Sequence, residues 1–424
     1  MRHRGIPVLL LLLALLAGAC SGASSVDGAV RPPTTAAPGT DATPSSVRGD
    51  ATPDSSSAVV VDDPVALPPQ LAGLDEVWPT DWSRRTIDLD ELLRGLGGGD
   101  PRDLIPPIDV PMFQRVPVVE WLAGPDPGVV LVVGEDARFY PLSVLTRHEI
   151  VNDRVGGAAV AVTYCPLCNT AVVFERVLDG DEIRLGVSGL LRNSDLVMWD
   201  RDTTSLWQQV TGEGIVGVHA GRSLTVLPSR ITSFGAYSEA YPRGLALGPD
   251  QGIGPVYGAN PYVGYSSRPE PYSLFDGALD DRLPALERVV GVDEGGEVKG
   301  YPFSLLEQEY VANDVVGGVP VVVMWGDPAT ADALDEASIP DSRGVGTGVA
   351  YRSTVGGTVL TFESHPDGDL FVDRETGSVW TLFGKAIGGP LEGTQLEVAL
   401  HRNEFFFAFA AFFPDADLPG EAAP

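Results

Sequence analysis

Two cysteines three residues apart are the part of this sequence best suited to chemistry. Cys165 and Cys168 flank a Pro-Leu pair in VTYCPLCNTAVVFER, and Cys20 is the only other cysteine of the chain. Proline presets a turn, and Asn169 tolerates the left-handed conformation that closes it, so we expect both sulfurs to face one concavity. Such a turn can supply two thiolates to a metal ion, a dithiol to a redox cycle, or a resting disulfide.

The metal interpretation needs more ligands, because a structural zinc site usually has four. The sequence contains no second cysteine pair, so histidine or carboxylate side chains must complete the set. His148, His219 and Asp195 are the candidates, and histidine ligands favour a zinc or copper ion. We therefore predict a metal site that contains Cys165, Cys168, His148 and His219.

Two other interpretations use the same cysteines. In a thiol–disulfide oxidoreductase, Cys165 and Cys168 are the catalytic pair and Cys165 is the attacking thiol. Thioredoxin-type sites place such a pair at the start of a helix, whereas TAVVFERV after Cys168 predicts a strand. In the third interpretation the protein is a non-enzymatic envelope module, and the cysteines form a structural disulfide in an oxidising compartment. The sequence leaves all three open, including whether the protein is an enzyme.

A second polar segment follows the cysteine pair. GVSGLLRNSDL contains Ser188, Asn193 and Asp195, which we predict to bind a ligand or to join a metal shell. The alternative is a hairpin turn in which the Asn and Ser side chains bond the local backbone. A hydrolase with Ser188 as nucleophile is disfavoured, because the Gly-x-Ser-x-Gly elbow is missing.

The candidate residues lie in one copy of an internal repeat. YPLSVLTRHEIVNDRVGGAAVAVTYCPLC, from Tyr140, aligns without a gap with YPFSLLEQEYVANDVVGGVPVVVMWGDPA, from Tyr301. Further on, WDRDTTSLW aligns with VDRETGSVW after an insertion in copy two. Copy two has Gly-Asp-Pro-Ala in place of Cys-Pro-Leu-Cys, and Glu309 in place of His148. We expect shared residues to serve the architecture and residues of copy one alone to carry any chemistry.

The elements that position these residues are predicted to be mainly strands, with a few short helices. GVVLVVG, AAVAVTY, TAVVFERV, IRLGVSG and DLVMWD are short valine-rich runs bounded by Gly, Asp and Asn. LSVLTRHEIVND predicts a helix capped by Ser143, and SFGAYSEAYP and NEFFFAFAAFFPD predict a helix at the end of each copy. We expect two tandem, structurally similar β-rich domains related by pseudo-two-fold symmetry. We also expect an Asp200–Arg201 ion pair, Trp207 in a core, and a surface position for His401.

The N-terminus predicts an exported lipoprotein. MRHRGIPVLLLLLALLAGAC combines two arginines, an apolar run and small residues directly before Cys20, which is typical of a bacterial export signal ending in a lipobox. Lipidation of Cys20 would hold the protein on the extracytoplasmic face of the cell membrane. The predicted segments are a signal peptide (1–20), a disordered tether rich in Pro, Ser, Thr and Ala (21–70), an N-terminal extension with copy one (71–245), a connector (246–288), copy two (289–413) and a disordered tail (414–424).

The charge of the chain limits its partners. The sequence has 28 basic and 58 acidic residues, a formal net charge of -30, and no basic stripe. Nucleic acid is therefore excluded as a partner. We expect contact with the membrane through the lipid anchor, and the sequence identifies no protein or small-molecule partner.

Several of these segments together resemble one known family. TYCPLCNTAVVF, followed by GVSGLLRNSDLVMWDRDTTSLWQQ, is similar to DUF3179, a bacterial and archaeal family of unknown function. DLDELLRGLGGGDPRDLIPPIDVPMF, HEIVND, RLPALERVVGV and FAFAAFFPD resemble it as well. The resemblance runs from about Trp82 to Phe413 and implies no activity, so the function must be argued from the residues.

The lipid anchor can be tested by removing its thiol. In a Cys20→Ser variant we expect the protein to be released to the medium or to keep its signal peptide, because serine cannot be acylated at a lipobox. Membrane fractionation and the mass of the mature N-terminus measure both outcomes. Unchanged membrane attachment, with no acyl mass on the parent N-terminus, would contradict the prediction.

Overall fold

Short β-strands make up most of the structure, as the valine-rich runs predict. The computed structural model describes residues 59–97, 99–252, 257–366 and 368–419. The signal peptide, Cys20 and residues 21–58 of the tether lie outside the described residues. Within the described ranges, no helix is long and apolar enough to cross a membrane. The mainly β fold class with a few short helices is confirmed.

The strands are numbered in chain order. The extension and copy one contain β1 (Val61–Asp62), β2 (Arg84–Arg85), β3 (Leu93–Arg94), β4 (Phe113–Arg115), β5 (Pro127–Val133), β6 (Asp136–Pro141), β7 (Ile150–Val155), β8 (Ala158–Cys165), β9 (Thr170–Glu175), β10 (Val177–Leu178), β11 (Asp181–Glu182), β12 (Leu185–Arg192), β13 (Asp195–Asp200), β14 (Leu206–Gln208), β15 (Gly214–Val216), β16 (Val226–Leu227), β17 (Ser229–Ser233) and β18 (Leu245–Leu247). Copy two contains β19 (Arg288–Glu294), β20 (Glu297–Pro302), β21 (Val311–Val316), β22 (Val319–Gly326), β23 (Thr347–Arg352), β24 (Thr354–Val355), β25 (Thr358–Val359), β26 (Phe362–Ser364), β27 (Leu370–Asp373), β28 (Val379–Thr381), β29 (Ala386–Gly388), β30 (Glu397–Val398) and β31 (His401–Phe405).

The α-helices of the described residues are short. They are α1 (Leu74–Val77), α2 (Leu142–His148), α3 (Phe234–Ala240), α4 (Phe303–Glu309) and α5 (Phe406–Phe412). Helix α1 belongs to the N-terminal extension, and α2 and α3 of copy one lie at places that match α4 and α5 of copy two. Helix α3 begins at Ser233, whose side chain accepts a hydrogen bond from the backbone of Ala236. The expected cap Ser143 lies inside α2 instead, because Pro141 occupies the N-cap position. Helix α5 is buried, as its aromatic composition predicts.

Three sheets of copy one reappear in copy two with the same neighbours. The orders β17-β5-β6, β16-β9-β8-β7 and β15-β14-β13-β12 correspond to β31-β19-β20, β30-β23-β22-β21 and β29-β28-β27-β26. A Gly-Gly turn joins β7 to β8 in copy one and β21 to β22 in copy two. Gly156 and Gly157 of the first turn have φ of 55° and 91°. This conformation is the one that two-residue hairpin turns require.

Side-chain bonds shared by the two copies stabilise these sheets. Asn152 bonds both polar groups of the Leu185 backbone, donating to the carbonyl at 2.8 Å and accepting from the amide at 3.2 Å. Asn313 makes the same pair of bonds with Phe362, at 2.9 and 2.8 Å. The expectation that Asn-Asp serves the architecture agrees with these contacts.

The Asp-Arg…Ser…Trp segment forms a second shared arrangement. Asp200 accepts a hydrogen bond from Trp207 Nε1 at 3.0 Å, and Asp373 accepts one from Trp380 Nε1 at 2.9 Å. Trp207 is fully buried, as expected for a core residue. The expected Asp200–Arg201 ion pair is wrong, because the Asp200 carboxylate bonds Trp207 instead. Arg201 pairs with Asp103 of the extension at 2.7 Å.

The described residues, from 59 to 419, all belong to one compact unit. One hydrophobic core contains β-strand residues of copy one together with Phe405 and Phe407 of copy two. Strand β1, within the predicted tether, pairs with β2, and Leu418, within the predicted tail, is buried. The folded part therefore extends past both predicted boundaries, and the pseudo-two-fold relation between copies stays a prediction.

His401 corrects the expectation of a surface residue. It is 7% exposed, and its Nδ1 lies 2.9 Å from the carbonyl oxygen of Ala399, to which it donates. Burial, with a smaller effect from the positive charges of Arg230 and Arg402, lowers the pKa of His401 to about 4. The imidazole is therefore neutral in the folded protein at neutral pH.

This histidine makes stability depend on pH. The unfolded chain binds a proton at pKa about 6.5, above the folded value, so stability is lost as pH falls from about 6.5 towards 4. The loss reaches at most about 3 kcal/mol. In His401→Asn, whose amide can still donate to Ala399, we expect urea unfolding at pH 7 and pH 4.5 to show a smaller acid-induced loss.

His365→Asn, at a half-buried histidine of the same copy, is the matched control and should keep the acid slope of the parent. Equal acid slopes in the parent and in His401→Asn would show that His401 does not carry this dependence.

Candidate functional site

The cysteines lie at the tip of the hairpin formed by β8 and β9. Cys165 pairs with Thr170 at the end of the ladder, and residues 166–169 form the turn. Asn169 has φ of 53°, the left-handed conformation that its sequence position predicts. Its side chain accepts a hydrogen bond from the Tyr164 hydroxyl at 3.0 Å. The predicted turn after a strand is confirmed.

The two sulfurs face a carboxylate. Cys165 Sγ, Cys168 Sγ and a carboxylate oxygen of Asp195 all lie within 4.8 Å of one another, and all three residues are buried. Both cysteines are free thiols in the structure. Cys165 Sγ also donates to the carbonyl oxygen of Ser194 at 3.7 Å. The structure therefore brings together three of the residues that the sequence singles out.

The carboxylate of Asp195 is held in place by residues at the end of the neighbouring strand β14. The Asn193–Ser194 turn, with φ of 51° and 64°, joins β12 to β13 and starts β13 at Asp195. One carboxylate oxygen, Oδ2, accepts from Gln208 Nε2 at 2.6 Å and from the backbone amide of Val210 at 3.1 Å. Within the described residues the other oxygen, Oδ1, is buried without a hydrogen-bond partner. Asp195 thus keeps one oxygen available.

Gln209, next to Gln208 at the end of β14, attaches the cysteine hairpin to the sheet that contains Asp195. Gln209 Nε2 donates to Thr163 Oγ1 at 2.9 Å and to the carbonyl oxygen of Thr170 at 3.2 Å. Copy two has Thr381 and Leu382 where copy one has Gln208 and Gln209. Both glutamines are therefore features of the copy that carries the sulfurs.

The site is rich in buried acids and poor in cations. Burial raises the pKa of Asp195 to about 7, and burial together with the charge of Asp195 raises the pKa of Glu149 to about 8. Burial raises the pKa of Glu404 to about 7, and the Arg402 Nε lies 3.6 Å from this carboxylate. Burial also raises the pKa of both thiols. Among the described residues, Glu404 has a cation beside it, whereas Asp195 and Glu149 have no ion-pair partner.

Copy two and the connector close the site. The backbone amide of Phe405, next to Glu404 on β31, donates to the carbonyl oxygen of Cys168 at 2.9 Å. The connector residue Tyr265 donates through its hydroxyl to the carbonyl oxygen of Leu167 at 2.7 Å. We expected copy one alone to carry the chemistry, and the structure adds groups from copy two and the connector to its surroundings.

The two histidines of the predicted metal set lie outside the group of sulfurs and carboxylate. His148 Nδ1 donates to the carbonyl oxygen of Pro106 at 2.7 Å, and its Nε2 lies 2.7 Å from the Tyr257 hydroxyl. His219 packs its ring against Trp207 at 5.6 Å between centroids. Both ring nitrogens of His148 are thus occupied, and the carboxylate of Asp195 takes the place next to the sulfurs.

The other predicted ligand-binding residues are Ser188 and Asn193. Ser188 donates to the carbonyl oxygen of Val197 at 2.5 Å and accepts from the backbone amide of Leu190 at 3.0 Å. These bonds span the irregularity in the β12–β13 pairing. Asn193 lies in the hairpin turn before Asp195 with φ of 51°, so the turn of the alternative is present, and the local side-chain bonds are those of Ser188.

Sequence reasoning missed Glu149, Glu404 and Tyr265. The repeat alignment pairs Glu149 with Tyr310, so the comparison that singled out the cysteines contained a signal for this residue. Both residues follow the helix with a positive φ, 58° and 61°. No local signal identifies Glu404 or Tyr265, because they reach the site from distant parts of the chain.

The comparisons with known proteins identify a family. The sequence model described as "Protein of unknown function (DUF3179)" matches residues 102–416. The chain belongs to this family. The DUF3179 match includes both copies, the connector and every residue of the site described above, so the resemblance seen in the sequence is confirmed. No curated protein and no solved structure matches the chain.

The burial of the thiols predicts slow chemical modification. In a Cys20→Ser background, which leaves two thiols, we expect an aromatic disulfide reagent to react at least about tenfold more slowly with the folded than with the unfolded protein, because thiolate and access are both reduced. Stopped-flow absorbance in buffer and in guanidinium chloride measures both rates.

Ala329→Cys supplies the control for this experiment. Ala329 is the exposed counterpart of Cys168 in copy two, so the added thiol should react at nearly the unfolded rate. Equal rates for the folded and unfolded parent thiols would contradict the prediction.

Proposed function

We propose that Cys165, Cys168 and Asp195 bind a divalent transition-metal ion, zinc before copper, in an extracytoplasmic lipoprotein. The observation that carries the proposal is the buried group of two sulfurs and one carboxylate oxygen within 4.8 Å of one another. Thiolate and carboxylate are both zinc ligands. Three protein ligands leave a fourth position for water or substrate, which is the arrangement of catalytic rather than structural zinc sites.

Electrostatics support a cation at this place. Burying an acidic group without a partner is unfavourable, and Asp195 Oδ1 has no hydrogen-bond partner among the described residues. Glu149 and Glu404 add two further buried carboxyls. A divalent ion would offset the charge of deprotonated thiols and carboxylate, and it would give Oδ1 a partner.

A thiol–disulfide oxidoreductase has less support. An attacking thiol needs a lowered pKa and access to its substrate, whereas burial raises the pKa of Cys165 and Cys168. A purely structural role for the cysteines would suit sulfurs surrounded by aliphatic groups, and here a carboxylate lies beside them. The metal proposal therefore accounts for more features of the site than the redox or the structural interpretation.

The architecture and the anchor belong to the same proposal. We infer that the two copies form similar domains related by a pseudo-two-fold axis, which the recurring strand orders and the Asn152 and Asn313 contacts support. The lipobox-like end of the signal supports an anchor at Cys20 on the extracytoplasmic face. Protein or small-molecule partners would reach the site from that side of the membrane.

The metal proposal is tested by loading and elemental analysis. Protein purified without chelator should contain about one zinc per chain. Cys165→Ser should lose it, because a serine hydroxyl at neutral pH does not replace a thiolate, and Asp195→Asn should weaken binding at least about tenfold. Cobalt substitution should give a sulfur-to-cobalt charge-transfer band in the parent and none in Cys165→Ser.

Asp369→Asn is the matched control. Asp369 lies one residue past Gly368, the counterpart of Asp195, and it accepts from the backbone amide of Asp327 at 3.0 Å beside the copy-two loop without sulfur. This variant should keep the zinc content of the parent. Stoichiometric copper in place of zinc would change the assigned ion. An unchanged metal content in a folded Cys165→Ser variant, or no metal affinity in the parent, would refute the site.

A further inference from the structure

A cavity of about 360 Å³ lies against the candidate metal site. Its wall includes Leu167, between the two cysteines, and Leu196, next to Asp195. Tyr262 and Tyr272 of the connector form another part of the wall. The remaining lining is largely aliphatic, so the cavity suits the apolar body of a small molecule.

Glu149 is the exception in this lining. Among the described residues that line the cavity, it is the only one with a carboxyl side chain. It is 8% exposed, and the hydrogen bonds of the described residues include none to its carboxylate. Its backbone, with φ of 58° and ψ of -30°, is held at the strained corner after α2, which costs on the order of 1 kcal/mol or more.

The counterpart of Glu149 shows that the corner itself does not need a carboxylate. Tyr310 follows α4 with φ of 61° and is 41% exposed. In both copies the carbonyl oxygen of this residue accepts a backbone hydrogen bond, from Tyr164 at 2.8 Å and from Trp325 at 2.9 Å. The local fold is thus the same with a tyrosine, and the acid is specific to the copy with the cavity.

We propose that this cavity binds a small organic cation, a protonated amine with an apolar body, whose ammonium group pairs with Glu149. A buried carboxylate without a partner is stabilised by a charged donor, and the aliphatic wall accommodates the apolar body of the ligand. The acids around the site favour a cation over an anion of the same size. The inference rests on the proposed function in that it places the amine beside the metal site.

Three phenyl compounds of similar size test the charge of the ligand. NMR titration of the full-length parent with 2-phenylethylamine, 2-phenylethanol and 3-phenylpropanoate should show the amine binding at least about tenfold more tightly than the anion, with the alcohol between them. One charge-assisted hydrogen bond corresponds to about that factor. No measurable binding of the amine, or binding of the anion at least as tight, overturns the proposal.

Three variants test the position of the ligand. Glu149→Gln should weaken amine binding at least about tenfold and leave the alcohol unchanged, while Glu309→Gln, at an exposed glutamate beside Tyr310, should change neither. Leu274→Trp, at the half-buried rim of the cavity, should weaken the amine and the alcohol alike. Unchanged amine binding in both Glu149→Gln and Leu274→Trp overturns the assigned cavity.

Cys165→Ser separates this inference from the metal proposal. We expect that variant to lose zinc and still bind 2-phenylethylamine in a Glu149-dependent way, because the cavity wall and Glu149 are intact. Loss of the Glu149 dependence in a folded Cys165→Ser variant contradicts the cavity assignment. Zinc retention in Cys165→Ser contradicts the metal site alone.

Discussion

Two amide side chains hold the sheet with the cysteines against the sheet with Asp195, and the geometry of the site depends on this contact between sheets. Asn152 binds both polar groups of one peptide at the start of β12, and Gln209 binds Thr163 and Thr170 near the tip of the cysteine hairpin. The planar amide of Asn152 satisfies a donor and an acceptor at once, so it fixes distance and orientation together, whereas Gln209 donates to two oxygens through Nε2. Both contacts join the strands that carry the sulfurs to the sheet that carries Asp195.

The comparison between copies shows where the sequence is under a structural constraint and where it is not. The amide contact of Asn152 reappears at Asn313, and the aspartate–tryptophan corner reappears without change of geometry. The pair Gln208-Gln209, the sulfurs and Glu149 have no such equivalents. Copy two nevertheless takes part, because Glu404 and Phe405 lie beside Cys168. Copy two therefore lines the site as well as repeating the fold of copy one.

Local signals in the sequence were sufficient for the elements and for the cysteine turn. Short valine-rich runs predicted β8, β9 and β13, and the turn residues predicted the left-handed Asn169. Local signals could not predict which residues contact each other in the tertiary structure. His148 fitted a ligand by type, but its two nitrogens are occupied by Pro106 and Tyr257. Arg201 is adjacent to Asp200 in sequence and pairs with Asp103 instead, because tertiary packing decides which neighbours meet.

The closure of the site by β31 has a consequence for the order of events during synthesis. A chain made from its N-terminus completes Cys168 more than 200 residues before Phe405 exists. Until that last strand is added, the backbone carbonyl of Cys168 has no partner there, and both thiols stay accessible to oxidants and to metal ions. The cysteines can therefore react with oxidants or bind metal ions before the fold is finished.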